Sequence, residues 1–486
     1  MSAETSTAPA ADEKVSGRAW LMLVIVYLLS LAVPILWFSL PPMLADNTIL
    51  AVYLGGDFSA VAQVGNTMSV VAFGAIISAI FATALIRKFN VKNTLILGAV
   101  LTIVGGILMA ISAGSGQPGA GNFTFLLVSR FIVGLGVGLV DVSSPTAITT
   151  WFPAKRRGLA IGIWATWVPV AIILSTNLIV NPLKAVFPGA NGMGDFGPFS
   201  YSLPQVSWWV MVVLLVITTL LVIFIYKAPQ ANAGVSAETK PIREILPFFK
   251  QHQIIMVAIV WLAFNYVNYC FTTYAPIYFA GGFGDAGMGV GQGIMDNNAA
   301  AFWGSISSAL GILAPIPAAI YDRMQRNKKW IIVMLGALIL ALTAFFGFRN
   351  SLGPLSGWGI FFTYLACNAI GNAILVGTIR PYVPLLVGRG GATAVALGLS
   401  LVTLLQFAGQ SVMATVFGGA VAANGGQLIS SAGQLLSMPP QVATAALNAW
   451  GTACWEAVLP VAIVSFVCAF FLKPPQAKEG GAPEKH

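Results

Sequence analysis

Three ionisable side chains stand inside long apolar runs of this 486-residue chain: Arg130, Asp141 and Arg380. An ionised group in hydrocarbon costs roughly 3 kcal/mol or more when unpaired, so by default it faces a protein interior or a water-filled path. Arg130 and Asp141 are eleven residues apart, about three helical turns, and so fall within roughly 20° of one face. Gly134, Val137 and Ser144 share that face. Two readings stand for the pair. In one they form a polar track, Arg130 attracting or coupling charge and Asp141 accepting a proton or a cation. In the other Arg130 caps backbone carbonyls and Asp141 pairs with a base at the cytoplasmic end. Arg380 precedes Pro381, with Pro384 one turn on; it either anchors an anion or snorkels to the headgroups.

Uncharged polar groups gather at similar depth. Asn265, Asn268, Tyr269 and Thr272 lie on one helical face, where amides, phenols and hydroxyls suit either a hydrogen-bonding cavity wall or glue between helices. Trp164 and Trp167 are set against Gln406 and Gln410 later in the chain. Such aromatics and amides either clamp a planar solute or serve ordinary packing. Gly134, Gly136 and Gly138 resemble a phosphate loop only in spacing: no strand precedes them and no GK[ST] follows, so they read as close helix packing. Glu456 reads as structural, paired near the periplasmic interface. The histidines are His252 and His486, and Cys270, Cys367, Cys454 and Cys468 show no CxxC spacing. Neither a metal site, a disulfide framework nor any cofactor is expected.

The elements that must hold these groups follow from composition. Hydrophobic residues make up 57% of the chain and charged ones 8%, with mean hydropathy +0.85, too little charge to cover a soluble surface. The apolar runs match helices rising about 1.5 Å per residue across about 30 Å of hydrocarbon, and they lack the alternation of barrel strands. Twelve spans are predicted: 18–40, 58–86, 93–113, 123–150, 157–180, 206–227, 252–280, 297–321, 330–348, 357–386, 392–421 and 447–472. Glycine- and proline-rich loops, 187–204 and 281–296, separate some of them. The tails and even-numbered loops hold 20 of the 24 lysines and arginines, and the odd loops only Lys184 and Arg349. That bias places both termini in the cytoplasm and accounts for the net charge of +9 without a nucleic-acid partner. Residues 1–17 are expected to be a disordered cytoplasmic tail rather than a signal peptide, and 474–486 a second tail.

The chain also repeats itself. Segment 82–92 aligns with 318–328, so that Arg87 meets Arg323 and Lys92 meets Lys328, an offset of 236. The same offset pairs Pro145 with Pro381, Ala160 with Ala396 and Gly162 with Gly398, and sets Trp164 and Trp167 opposite Ser400 and Thr403. Two six-helix bundles are therefore expected, 18–227 and 251–473, joined by a cytoplasmic linker at 228–250. A duplicated helical membrane protein points to alternating access at the interface of its halves.

On these residues the chain resembles the major facilitator superfamily over nearly its whole length. The family's loop 2–3 signature, roughly G-x-x-x-D-R followed by basic residues, is kept in the second copy as Asp322-Arg323 with Arg326, Lys328 and Lys329. The first copy departs from it, with Ile86 before Arg87. The helix-four signature R-x-x-x-G-x-G appears as Arg130, Gly134 and Gly136. Trp151-Phe152-Pro153 followed by Arg157-Gly158 and Ala160 is similar to prokaryotic branches carrying nitrate, oxalate or cyanate. The glycine pattern of drug/proton antiporters is missing around Pro169. The resemblance implies twelve helices in two pseudo-symmetric bundles, a central cavity lined by helices 1, 4, 7 and 10 with help from 2, 5, 8 and 11, and rocker-switch transport.

The expected activity is secondary transport of a small organic or inorganic anion, such as a carboxylate, by proton symport or exchange, in a multi-pass monomer of the bacterial inner membrane. Its partners are a small solute, the lipid bilayer and protons. Arg87, Lys92, Asp322, Arg323 and Arg157 are expected to act in the gate. The competing readings are an exporter of an uncharged or cationic amphiphile and, outside transport, a membrane sensor or lipid-modifying enzyme. The last two lack a soluble signalling domain and a His or Asp cluster at an interface.

Overall fold

The computed structural model describes residues 15–40, 43, 48–55, 61–114, 119, 121–186, 193–196, 199–227, 243, 252–282, 310–349, 351–356, 358–387, 391–429 and 438–472. The predicted N-terminal tail apart from its last three residues, the C-terminal tail, the linker apart from Arg243, and the loop at 281–296 apart from its first two residues lie outside them; of that first tail, Ser16 and Gly17 already belong to the start of span 1. Among the described residues ten helices are long and apolar enough to cross a membrane. One of these, within Val61–Ser112, contains both span 2 and span 3. The eighth span, expected at 297–321, is described only from 310 onward, as a short turn and the helix Pro315–Arg323.

Spans 2 and 3 run into one another because the loop between them is a single corner. Asn90 takes φ 66°, a left-handed backbone that asparagine tolerates better than most residues. Its Oδ1 accepts from the Asn93 amide at 3.0 Å, and its carbonyl accepts from Thr94 Oγ1 at 2.8 Å. The chain thus breaks at one exposed, non-helical residue whose own side chain caps the start of span 3.

Span 1 is Gly17–Phe38, capped by Ser16, whose Oγ accepts from the Ala19 amide at 3.2 Å. Span 4 is Phe123–Trp151, capped in the same way by Asn122, which accepts from Phe125 at 2.9 Å. Span 5 begins at Arg157 and continues to Val186, beyond its expected end at 180, but not as one regular helix. It restarts at Trp167, where Pro169 removes an amide donor, and loosens into a π-helical turn over Leu174–Val180. Span 6 is Leu203–Phe224, three residues earlier than expected. The loop before it, expected to be irregular, contains an antiparallel hairpin of β1, Met193–Phe196, and β2, Phe199–Ser202. A smaller hairpin, β3 Ser351–Leu352 with β4 Leu355–Ser356, joins spans 9 and 10.

In the second half span 7 is His252–Gly282, span 9 Trp330–Phe346, span 10 Trp358–Val387 and span 11 Gly391–Ala423. Span 12 starts at Pro440, seven residues before its expected start, and carries a π-helical turn at Cys454–Val458.

The outer faces are apolar: Phe73, Ile77, Ile80 and Phe81 on span 2 and Val213, Ile217, Leu220 and Phe224 on span 6 are all exposed. Lipid solvates such faces. Inside, the three glycines of span 4 are sites of close approach, as their spacing predicts. A Cβ at Gly134 would press on the Val71 carbonyl, one at Gly136 on Thr102 Oγ1 and the Gly98 carbonyl, and one at Gly138 on Ser78 and the Ala75 carbonyl. Gly136→Val is therefore expected to lower the melting temperature in detergent by an amount corresponding to about 1–3 kcal/mol of overpacking. Gly419→Ala, where a Cβ meets open space, serves as the control and is expected to melt like the parent.

Candidate functional site

Where the two halves meet, spans 4 and 10 each bring one charge. Arg380 lies seven residues before the end of span 10, about 10 Å along the helix. Asp141 lies ten residues before the end of span 4, about 15 Å. The Arg380 Nη2 donates to both Asp141 carboxylate oxygens at 2.7 Å and to Gln406 Oε1 at 2.8 Å, and Nη1 donates to the Asp141 backbone carbonyl at 3.2 Å. One N–H of Nη2 is thus shared between the carboxylate oxygens while the other reaches the amide. Thr403 Oγ1 adds a hydrogen bond to Asp141 Oδ2 at 2.8 Å. Both charged residues are buried, Arg380 3% and Asp141 2% exposed. Arg380 therefore does not snorkel, and the base that pairs with Asp141 is Arg380 of the other half.

Two indoles hold the guanidinium from its faces. The Arg380 Cζ lies 4.8 Å from the Trp164 ring centroid and 5.4 Å from that of Trp261, within cation–π range. Each indole is fixed by its own N–H. Trp164 donates to Ser30 Oγ at 2.8 Å, and Ser30 donates on to Ser144 at 2.8 Å. Trp261 donates to Gln406 Oε1 at 2.8 Å. An indole nitrogen only donates, so the Gln406 oxygen is assigned as the acceptor and both its lone pairs are used, one by Trp261 and one by Arg380.

Beside this cluster a cavity opens between the halves. The space a water centre can reach in it is about 50 Å³, several waters' worth. The first half contributes Trp37, Phe38, Trp164, Trp167 and Pro169; the second contributes Trp261, Asn265, Asn268, Tyr269, Thr272, Asn372, Arg380, Gln406 and Gln410. Away from the basic end, Trp37 approaches Tyr269 at 6.4 Å and Phe407 at 5.7 Å between ring centroids, so rings of both halves meet there. A smaller void of about 10 Å³ touches Asp141 from the side of span 1, bounded by Ser30, Val33, Pro34, Val137, Val140, Trp164 and Trp167.

Ten of the eleven residues expected at the site, Arg380, Asn265, Asn268, Tyr269, Thr272, Trp164, Trp167, Gln406, Gln410 and Asp141, are therefore brought together around these two spaces. Arg130 is not among them. It is fully buried, and its Nε donates to the Thr67 carbonyl at 2.7 Å between spans 4 and 2. One face does carry both Arg130 and Asp141, but eleven residues of helix separate their surroundings. Trp261, Asn372 and Thr403 had no place in the expected site. A face signal marks two of them: Trp261 stands four residues before Asn265, and Asn372 eight before Arg380.

At the basic end the second loop signature acts as a cap. Asp322 accepts from the Gly158 amide at 3.0 Å through Oδ1 and from the Leu159 amide at 2.7 Å through Oδ2, so a carboxylate of one half occupies the N-terminus of span 5 in the other. Burial pushes its carboxyl above the ordinary range; the Leu159 amide, Lys329, the Gly158 amide and Arg157 pull it back. A Cβ at 158 would overlap the Asp322 carboxylate, so a side chain there would displace the cap. Arg157 Nη2 donates to the Phe152 carbonyl at 3.3 Å and Lys92 Nζ to the Ile223 carbonyl at 2.8 Å, while Arg87 and Arg323 are exposed. In the other copy Ile86 is buried and the halves are joined there by Thr83 Oγ1 and Ser400 Oγ, 3.0 Å apart.

Asp322 ties the start of span 5 to the other half at this end. Loss of an N-cap costs about 0.5–2 kcal/mol, a roughly 2- to 30-fold shift in a two-state population. Spin labels at Arg87→Cys and Arg323→Cys are expected to gain a longer-distance population when Asp322→Ala is added. An unchanged distance distribution would show that the cap does not hold the halves.

The model of the Major Facilitator Superfamily matches residues 19–414. The hexuronate transporter of Bacillus subtilis (strain 168) is 26% identical over 163 residues, 32% of this chain and 35% of that protein. The galactose-proton symporter of Escherichia coli (strain K12) is 29% identical over 101 residues, 21% of this chain and 20% of its own. The chain thus spans about a third and a fifth of the lengths of these two relatives. Among solved structures, the proton:xylose symporter XylE bound to 6-bromo-6-deoxy-D-glucose aligns with TM-score 0.67 at 15% identity, covering 94% of this chain and 96% of that one. FucP in the outward conformation aligns with TM-score 0.61 at 16% identity, covering 91% and 99%. At these identities the likeness is one of fold. With the profile matched over most of its length and that fold in place, the chain belongs to the major facilitator superfamily, a family of transporters and not of enzymes.

Proposed function

We propose that the chain is a secondary transporter that carries a small organic anion, a carboxylate, between its two halves by alternating access. The observation that carries this reading is Arg380: a buried guanidinium in the wall of a central cavity, held by an aspartate that belongs to the opposite half. A planar fork of donors matches a carboxylate. The relative named for hexuronate handling supports an anionic solute, and the sugar symporters support a small polar one. The inorganic-anion branches that the sequence resembles are the narrower alternative within this reading.

Coupling follows from charge balance. With Asp141 ionised, Arg380 is neutralised and a second carboxylate would bring uncompensated charge into a low-dielectric site. Protonated Asp141 leaves the guanidinium to the solute, so one proton and one carboxylate travel together as a neutral pair. Asp141 is faced by Arg380 from span 10, by Thr403 from span 11, by Trp164 from span 5 and by Ser30 from span 1; of these Arg380 is the charged one. Exchange needs no proton step: one anion leaves the guanidinium as another arrives. We also propose that the protein is a monomer of the bacterial inner membrane, with its lysine and arginine bias placing both termini in the cytoplasm.

A second reading, export of an uncharged or cationic amphiphile, draws on Trp37, Trp164, Trp167 and Trp261 around a cavity whose arginine is already neutralised. Purified protein in proteoliposomes distinguishes the two. Carboxylates are expected to raise the melting temperature and to be taken up along an inward proton gradient. Arg380→Gln is expected to weaken carboxylate binding about 10- to 100-fold, the worth of charge-assisted hydrogen bonds. Asp141→Asn is expected to keep solute exchange and lose proton-driven accumulation. Stabilisation by lipophilic cations alone, unaffected by Arg380→Gln, would overturn the anion reading.

A further inference from the structure

The amides of Asn265, Gln410 and Asn372 on the second-half side of the cavity have a direction, and backbone groups set it. The Trp261 carbonyl only accepts, so the Asn265 nitrogen, 2.8 Å away, must be the donor. Asn265 Oδ1 is then the acceptor for Gln410 Nε2 at 3.1 Å. That relay turns the Gln410 nitrogen away and leaves its Oε1, on a side chain 8% exposed, buried and without a hydrogen-bond partner. Asn268 Oδ1 is buried and unpartnered as well. Asn372 also lines the cavity, with its nitrogen turned to Asn368, donating to the carbonyl at 2.9 Å and to Oδ1 at 3.0 Å.

Two helices of one half, spans 7 and 11, therefore hold buried, unpartnered amide oxygens on residues lining the same space, and span 10 adds the amide of Asn372. An unsatisfied buried acceptor is costly and calls for a donor. A bare oxyanion such as nitrate or oxalate has no hydrogen to give and would be repelled by oxygens. A hydrocarbon acid would leave them unpaired. The opposite wall, from span 5 and span 1, is aromatic: Trp37, Trp164 and Trp167. Such a cavity fits a ring with hydroxyls on one side and C–H groups on the other.

Resting on the carboxylate reading above, we propose that Gln410, Asn268 and Asn372 form a hydroxyl-accepting wall, so that the solute anchored at Arg380 is a hydroxylated monocarboxylate of the sugar-acid class. The wall selects by leaving its oxygens unpaired whenever a hydroxyl is missing.

The test compares D-glucuronate with cyclohexanecarboxylate, a ring acid of similar size without hydroxyls, by binding to the full chain in detergent. Wild type is expected to prefer glucuronate by about tenfold or more, the worth of one or two hydrogen bonds to buried acceptors. Gln410→Leu is expected to erase most of that preference, weakening glucuronate and strengthening cyclohexanecarboxylate, which no longer leaves that acceptor unpaired. Asn268→Ala offers the same readout should Gln410→Leu not fold, and Arg380→Gln is expected to weaken both acids together. If wild type binds the two acids equally, or if Gln410→Leu and Asn268→Ala weaken both alike, the hydroxyl wall is overturned while the carboxylate reading stands. If neither acid binds, the carboxylate reading itself fails and takes this inference with it.

Discussion

Charge in a low-dielectric interior has to be answered within a few ångströms, and the centre of this molecule is organised around one such answer. Arg380 and Asp141 come from opposite halves and are 2.7 Å apart. Taking both out of water costs several kcal/mol per ion, which their attraction repays only if geometry and further hydrogen bonds are good. The surroundings are built to that need: two indoles over the guanidinium, an amide on Nη2, a hydroxyl on the carboxylate. Because the partners sit on different bodies, any rocking motion that separates spans 4 and 10 strips both ions of their answer at once. A proton on one or a carboxylate on the other restores it.

The interface at the basic end works by a different and milder force. Asp322 satisfies two orphan amides at the start of span 5, an interaction any helix N-terminus offers a carboxylate. The pseudo-symmetric position is Ile86, which can give span 11 no such cap; there spans 2 and 11 pack together and the hydroxyls of Thr83 and Ser400 hydrogen-bond across them. The two sides of the seal are thus unequal in kind. The charged cap is tied to span 5, the span whose Trp164 also covers Arg380. Both contacts fall on the one regular stretch Arg157–Ala165, ahead of Pro169 and the π-helical turn beyond it.

Much of this was legible in the sequence, for identifiable reasons. Lipid demands long apolar helices, so span positions came within a few residues except where local chemistry intervened. Asn90 turned a loop into a helical corner, and span 12 began seven residues early, at Pro440. The site residues stood out because polar groups are rare in spans. Their partnerships did not: Asp141 and Arg380 are 239 positions apart, and no periodicity within either helix says which half the other ion comes from. Arg130 shared the face of Asp141 but not its surroundings, since the two face different neighbours three turns apart. Trp261 was passed over because an indole in an apolar span is unremarkable by type; its N–H to Gln406 makes it part of the site.

The direction of the amides is the last step the geometry permits. A glutamine in a membrane helix is neither donor nor acceptor until something fixes it, and here fixed backbone carbonyls and an indole do so one residue at a time. Trp261 is the common origin: its carbonyl orients Asn265 and through it Gln410, and its N–H orients Gln406 and through it Arg380. One residue thereby sets both the placement of the positive charge and the sign of the hydrogen-bonding wall beside it. Cation recognition by the ring and hydrogen-bond direction by the backbone meet on a single side chain, so a change there would disturb the anchor and the selectivity together, whereas a change at Gln410 would touch the selectivity alone.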